Sequence, residues 1–441
     1  MKKAALHNLG CKVNAYETEA MQQMLEAAGY EIVPFQESAD VYVINTCSVT
    51  NMADRKSRQM IHRAKKMNPE AVVVAAGCYV QTKEEEAVAD EAIDIIIGNN
   101  KKYELVTRLD EFFRDHGKID AVLDINDKNQ EFEELYMDQP SEHTRAFIKV
   151  QDGCNQFCSY CIIPYARGRV RSRNIESVLD EVNRLAKNGY KEVVLTGIHL
   201  SSYSSVQKQM DGTEVEVSLL KLIQEIHKVE GIKRIRLGSL EPKVVTEEFA
   251  AELCKLEKVC PHFHLSLQSG CDTTLQRMNR KYTAEEYENG CKILRKYFEH
   301  PAITTDVIVG FPGETEEEFA TTKAFLERIH FYEMHIFQYS KRQGTRAAVM
   351  KDQIPENIKK VRSAELIELG DKMSEEFREF YLGREEEVLF EENVTINGNS
   401  LYVGYTKEYV KVAKASDVPL DNQLVKGVLT IDLGDGIYLM K

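Results

Sequence analysis

Between residues 4 and 97 short apolar runs alternate with segments of helical period: strands over 4–9, 41–45, 72–76 and 93–97, and helices over 17–28 and 53–67. Runs apolar at consecutive positions belong to strands covered on both faces, so this third of the chain predicts a parallel sheet with helices on either side. From residue 145 six more strand-like segments, RAFIKVQ, KEVVLTG, RIRLGS, FHLSLQS, ITTDVIVG and EMHIFQYS, alternate with helices. Six βα units are too few to close an eight-stranded barrel and predict an open (β/α)6 partial barrel, with its site on the loops at the carboxyl strand ends. A helix over 355–381 leads into EEEVLFEE, SLYVGYT, EYVKVAK, KGVLTIDL and GIYLM, five short segments separated by Gly and Asn turns, the pattern of a small antiparallel barrel. The polar, aperiodic stretch near 131–142 reads as a linker. The expected fold class is α/β, with domains at 1–130, 145–380 and 381–441 and a linker over 131–144.

Composition narrows the function classes. At 441 residues, 43% apolar and 29% charged, the chain can bury two or three cores like an ordinary soluble protein. Apolar runs such as 71–76 are far too short to cross a bilayer, and the N-terminal MKKAALHNLG has no sustained apolar segment. A cytoplasmic protein without a membrane partner is therefore expected. The net charge of -14 argues against a general grip on nucleic acid. Charge is distributed unevenly, however: residues 54–66 carry Arg55, Lys56, Arg58, Arg63, Lys65 and Lys66 against one Asp, and Arg167, Arg169, Arg171 and Arg173 alternate further on. Such runs are either solvated helix faces or phosphate contacts.

The chemistry points to cysteine. Cys154, Cys158 and Cys161 stand in GCNQFCSYC as CxxxCxxC, immediately after the first strand of the partial barrel. Three thiolates at this spacing can hold three irons of a 4Fe-4S cubane and leave the fourth open to a small chelating molecule. Zinc is the rival, but a closed zinc site wants a fourth Cys or His, and the next one along is His199. Cys11, Cys47 and Cys78 follow the first three long strands of the N-terminal sheet, two of them after Gly10 and Gly77. Carboxyl strand ends form one edge of a parallel sheet, so these cysteines should converge as a second triad. The alternative is three buried core cysteines. Cys254, Cys260, Cys271 and Cys291 lack ligand spacing.

The CxxxCxxC loop, with Tyr160 just before its third cysteine, resembles the radical S-adenosylmethionine (AdoMet) superfamily. That resemblance implies AdoMet bound to the open iron, with Tyr160 packed near its adenine, and reductive cleavage to methionine and a 5'-deoxyadenosyl radical. It sharpens on NLGCKVNAYETE, NTCSVTNMADRKSR and AAGCYVQ, which resemble the three signature segments of methylthiotransferases. In that family these cysteines hold an auxiliary 4Fe-4S cluster, which implies two 4Fe-4S clusters here, with Cys11, Cys47, Cys78, Cys154, Cys158 and Cys161 as metal ligands. The matching strand-end regions line the AdoMet pocket, which implicates Gly197, Glu241 and Gln268; each is otherwise a polar or small residue satisfied by neighbouring loops. RAFIKVQDGCNQFCSYCIIPYARGRVRSR, LTGIHLSSY and FHLSLQSGCDTTLQRMNRKYT resemble most the branch acting on N6-threonylcarbamoyladenosine beside the tRNA anticodon. Gln338 and Arg346 stand where that branch more often has proline, which puts the shape of one substrate-facing loop in question.

The expected partners are thus tRNA through its anticodon stem-loop, a sulfur donor and a reducing electron donor. Branches acting on isopentenyladenosine or on a ribosomal-protein aspartate are alternatives, and a non-catalytic iron-sulfur protein that binds RNA or senses redox state is a third. The last 61 residues resemble a TRAM domain, yet carry six Lys plus Arg against ten Asp plus Glu. RNA contact there would fall to Lys407, Lys411 and Lys414 with Tyr405 and Tyr409 stacking, the alternative being a barrel that braces the catalytic domain.

Overall fold

The computed structural model describes residues 1–127, 129–137, 144–208 and 213–441. Residues 138–143 of the expected linker lie outside the described residues. The N-terminal sheet contains β1 (Lys3–Asn8), β2 (Glu31–Ile32), β3 (Val41–Thr46), β4 (Val72–Gly77), β5 (Ile95–Ile97) and β6 (Ile119–Ala121), all parallel, in the order β2-β1-β3-β4-β5-β6. Every residue of β3 and β4 is buried because helices cover both faces. Val41 and Val43 meet Met21 and Leu25 of α1 (Lys12–Ala27), while Tyr42 and Ile44 meet Ile61 and Ala64 of α2 (Asn51–Met67). The Thr50 hydroxyl accepts from Ala53 N and caps α2. Helix α1 begins five residues before the expected start at 17. Its first turns are fixed by burial of Val13, Asn14, Tyr16 and Glu17, a tertiary contact that periodicity does not register.

The middle of the chain forms the open partial barrel. Its parallel strands are β7 (Arg145–Asp152), β9 (Glu192–Gly197), β12 (Arg234–Leu237), β13 (His262–His264), β14 (Ala302–Val309) and β15 (Glu333–Gln338). Isolated parallel bridges, Ile235 to Val259 and Leu240 to Leu265, join the two halves between β12 and β13. Two features were not legible in advance: β8 (Arg171–Ser172), antiparallel to β7, and the hairpin of β10 (Ser204–Lys208) and β11 (Glu214–Ser218). Alternation along the strands sorts the two faces. Ile148, Val193, Leu195, Ile235, Phe263 and Val307 join the large core beneath the helices. Their neighbours, Arg145, Lys149, Glu192, Arg236, His262, His264, Asp306 and His335, take the concave face, so the lumen is lined with charge.

The last strands, β16 (Glu385–Ile396), β17 (Asn399–Tyr405), β18 (Lys411–Lys414), β19 (Leu424–Asp432) and β20 (Ile437–Met440), close into a five-stranded barrel in the order β16-β17-β18-β20-β19. All pairs but one are antiparallel; β18 and β20 run parallel, Lys411 beside Ile437. The barrel docks against the amino ends of the partial-barrel strands. Arg234 donates to the carbonyls of Tyr405 at 2.8 Å and Glu387 at 2.6 Å, and Arg145 meets Glu391 at 2.7 Å.

Candidate active site

Gly10 decides how Cys11 and Cys47 meet. Its φ of +110° is a left-handed conformation open to glycine, and a Cβ there would lie 2.9 Å from both Cβ and Sγ of Cys47. Cys11 then occupies the N-cap of α1, Cys47 follows β3, and Cys78 opens the short helix α3 (Cys78–Thr82). The three thiols stand close enough to perturb one another. Asn14 ties their loops together, its side-chain amide donating to Leu9 O at 2.7 Å and Thr46 O at 3.0 Å. Asn99 donates to Cys78 Sγ at 3.5 Å and to Ala166 O at 2.7 Å, linking this corner to the partial barrel.

The second loop is held the same way. Gly153, at φ +71°, lies so near Arg169 that a Cβ would fall 1.8 Å from its carbonyl oxygen, and Cys154 N donates to Gly168 O at 3.0 Å. Cys161 N donates to Cys158 O at 3.0 Å, closing the turn that turns the three thiols toward each other. Burial pushes the Cys154 thiol up to about 11 and Cys161 to about 12, and it raises Cys47 to about 11 and Cys11 upward. Six soft thiol donors in two groups of three, with Cys11, Cys47, Cys154 and Cys161 made costly to ionise by burial, fit two thiolate-ligated metal groups of the iron-sulfur kind.

Around the second triad the expected pocket residues fall close together with differing roles. Tyr160 packs edge-on to Phe311 at 6.4 Å, and its phenol is near Cys158 and Cys161. The Glu241 carboxylate meets His199 Nε2 at 3.2 Å, Gln156 Nε2 at 3.2 Å and Arg280 Nη2 at 3.4 Å. Gln268 has φ +73° and ties β13 to β14, its N donating to Asp306 O at 2.8 Å and its O accepting from Ile308 N at 2.9 Å. Its side chain has no hydrogen-bond partner among the described residues. The position beside Gly197 is filled by Gln151, whose Oε1 would lie 2.8 Å from a Cβ there; Gln151 Oε1 accepts from His199 N at 2.6 Å.

Arg280 and Lys12 escaped the sequence reading, and Arg167, expected on a solvated or phosphate-contacting run, is instead fully buried. Arg280 Nη1 donates to Cys158 Sγ at 3.2 Å, although it lies far away in the chain. Arg167 sits between the triads, bound to Glu17, Asp152 and Asn14. Lys12 is exposed into the lumen, within electrostatic reach of Arg145, Glu192, Arg236 and Glu333. Motif spacing could flag only Lys12, as the neighbour of Cys11. On the lumen wall His264 Nε2 meets Asp306 Oδ2 at 3.3 Å while its Nδ1 faces Thr304 Oγ1 at 2.9 Å, and His335 stacks on the same ring at 5.8 Å.

The basic helix α2 presents Arg55, Lys56, Arg58, Arg63 and Lys66 to solvent, whereas Lys65 pairs with Asp94 at 2.8 Å. The tyrosines expected to stack on RNA are engaged elsewhere. Tyr405 and Tyr409 stack on each other at 4.6 Å, and Arg145 and Arg236 lie over Tyr409 at 5.0 and 4.5 Å, so together they floor the lumen. Lys407 donates to Glu257 O at 2.9 Å as part of the same docking. The loop bearing Gln338 and Arg346 leans on the N-terminal sheet domain: Arg342 binds the Asp54 carboxylate and donates to Ser48 Oγ at 2.5 Å. No helix among the described residues is long and apolar enough to cross a membrane.

Residues 148–326 match the Radical SAM superfamily, and residues 3–98 match the Uncharacterized protein family UPF0004. The chain is 43% identical over 428 residues to the threonylcarbamoyladenosine tRNA methylthiotransferase MtaB of Bacillus subtilis, covering 97% of this chain and 93% of the relative. It is 35% identical over 433 residues to the tRNA-2-methylthio-N(6)-dimethylallyladenosine synthase of Acetivibrio thermocellus, covering 96% and 88%. In fold it is similar to the radical S-adenosylmethionine methyltransferase TsrM of Kitasatospora setae, with a TM-score of 0.56 at 17% identity over 76% of this chain and 75% of that one. The chain thus belongs to the radical AdoMet tRNA methylthiotransferases, enzymes that bind AdoMet and 4Fe-4S clusters.

Proposed function

We propose that this enzyme methylthiolates C-2 of the adenine in N6-threonylcarbamoyladenosine, beside the anticodon of tRNA, in the cytoplasm. The N-terminal sheet domain (1–130) would carry an auxiliary cluster on Cys11, Cys47 and Cys78, and the partial barrel (145–380) the AdoMet-binding cluster on Cys154, Cys158 and Cys161. When bound, cluster and AdoMet supply a radical able to take hydrogen from an aromatic carbon that has no acidic proton for base chemistry. The reading calls for two AdoMet per product, a sulfur donor and a reducing electron donor.

The observation that carries the substrate choice is the lumen lining. A dimethylallyl group is pure hydrocarbon and wants an apolar pocket, whereas threonylcarbamoyl brings a carboxylate, a hydroxyl and a urea. On the concave face Arg145, His264, Asp306 and His335 are still reached by solvent, beside the buried Glu192, Arg236 and His262, and these solvated groups would be costly to desolvate against hydrocarbon. The chain's own residues then divide the work. Arg280 holds the Cys158 sulfur by a hydrogen bond, Glu241 and Gln268 offer polar contacts to AdoMet at the carboxyl strand ends, and Tyr409 shuts the lumen floor against water. The exposed cations of α2 offer phosphate contacts for the RNA.

Mass spectrometry of bulk tRNA nucleosides from a strain lacking this gene tests the reading. Loss of the methylthio form of threonylcarbamoyladenosine, with that of isopentenyladenosine intact, is expected; the reverse pattern would sink the substrate assignment.

A further inference from the structure

The lumen-face cations Lys149, Arg145 and Arg236 are already committed, Lys149 to Glu17 and Asp152 at 2.7 Å each. Arg145 meets Glu391 at 2.7 Å and binds the Tyr409 hydroxyl, and Arg236 meets Glu192 at 2.9 Å. Lys12 differs. Among the described residues no carboxylate lies within 4.0 Å of its ammonium and no hydrogen bond holds it, although Glu333 and Glu192 lie within longer electrostatic reach. It shares a face of α1 with Tyr16, one turn on, which binds Leu135 O and meets Glu181 Oε2 at 3.2 Å on the partial-barrel side. The helix face that bears Lys12 is therefore fixed toward the barrel. The residue is nonetheless exposed, as a side chain in an open recess is, and His262 on the opposite wall feels its charge. Its Cα lies about 3.8 Å from that of Cys11, one peptide away.

We propose that the lumen contains a carboxylate-binding subsite whose charged contact is Lys12, and that it takes the free carboxylate of an amino-acid substituent on the substrate base. The proposal rests on the threonylcarbamoyl reading and deepens it. An uncompensated ammonium facing a charge-lined recess attracts an anion more strongly than it would on flat surface, because the low-dielectric walls of a cleft focus its field. The carboxylate is also the one charged feature of that substituent, and a hydrocarbon substituent cannot imitate it. A site built around a charged contact then rejects the substrate lacking it, since the cation is left unpaired.

The test pairs two anticodon stem-loop RNAs, one carrying threonylcarbamoyladenosine and one in which its carboxylate is a carboxamide, with reconstituted wild-type enzyme, Lys12→Met and Lys12→Arg. Dissociation constants by fluorescence anisotropy and kcat/KM for methylthio product are measured for each pair, with iron and sulfide per chain. Wild type should favour the carboxylate RNA by roughly ten- to a hundredfold, the range of a charge-assisted hydrogen bond. The preference should collapse in Lys12→Met and persist in Lys12→Arg. If Lys12→Met weakens both RNAs by the same factor, or leaves the preference unchanged, the subsite is overturned. Wild type that accepts both RNAs equally also overturns it while sparing the substrate assignment. Wild type that acts on neither RNA, yet methylthiolates a dimethylallyladenosine stem-loop, overturns that assignment and the subsite with it.

Discussion

Arg167 and Glu17, both fully buried, form a two-pronged ion pair between the partial barrel and the N-terminal sheet domain. Nη1 lies 2.8 Å from Oε1 and Nη2 3.0 Å from Oε2. Lys102 at 3.1 Å and Lys149 at 2.7 Å complete the shell around Glu17, and Asp152 balances Lys149 at 2.7 Å. The network lies between the two cysteine triads, so it fixes how the domains face each other.

Burial alone would raise the Glu17 carboxyl, but Arg167, Lys102 and Lys149 outweigh it and hold it well below the usual range. Glu17→Gln should cost about 3–5 kcal/mol at pH 7, because it leaves buried cations unpaired. A depressed carboxyl contributes stability that is fully present above its unfolded value of about 4.3 and lost as pH falls below it. Urea unfolding of both proteins should show a constant gap from pH 7 to 5 that narrows only below about pH 4. A gap that closes already near pH 6 would assign the stability to another group.

The two triads should separate by chemistry. With Cys154, Cys158 and Cys161 changed to Ala, the protein should reconstitute one cluster of about four irons and form no 5'-deoxyadenosine. With Cys11, Cys47 and Cys78 changed to Ala, it should also hold one cluster, still cleave AdoMet, and fail only at sulfur insertion. Iron and sulfide analysis with chromatography of both products checks this. Two clusters' worth of iron and full methylthiolation in the N-terminal variant would return those thiols to the core.

If Cys158 holds the cluster as proposed, Arg280 should tune it. Its hydrogen bond to that sulfur favours the more negative, reduced state, so Arg280→Met should shift the reduction potential downward and Arg280→Lys by less. An EPR-monitored redox titration reads the shift. An unaltered potential would leave Arg280 its contacts with Glu241, Tyr282 and Ser266 O.

Helix α2 should behave as a phosphate-contacting face. Changing Arg55, Arg58 and Arg63 to Ala should weaken tRNA binding and flatten its log-log salt dependence by roughly one unit per lost contact. Arg58 also lies 5.8 Å from the Tyr79 ring, so circular dichroism of the variant separates lost charge from lost packing. An unchanged salt slope makes α2 a solvated face.

Strand periodicity and cysteine spacing are local properties, so the sequence alone determined the parallel sheet, the six barrel strands and the candidate status of all six thiols. The alternation in RIRL and HFHL already held the polar lumen, because successive strand residues must point to opposite faces. Long-range placement was not legible there. Arg280 reaches Cys158 across 122 residues and Arg342 reaches Asp54 across 288, contacts that no local pattern encodes. Tyr405 and Tyr409 read as candidate RNA-stacking residues until the tertiary structure turned them toward Arg145 and Arg236. Lys12, one residue in a motif, gained its meaning only when the packing of α1 against the barrel left it without an ion-pair partner among the described residues while Arg145, Lys149 and Arg236 were paired, since pairing depends on which charges the fold brings within reach.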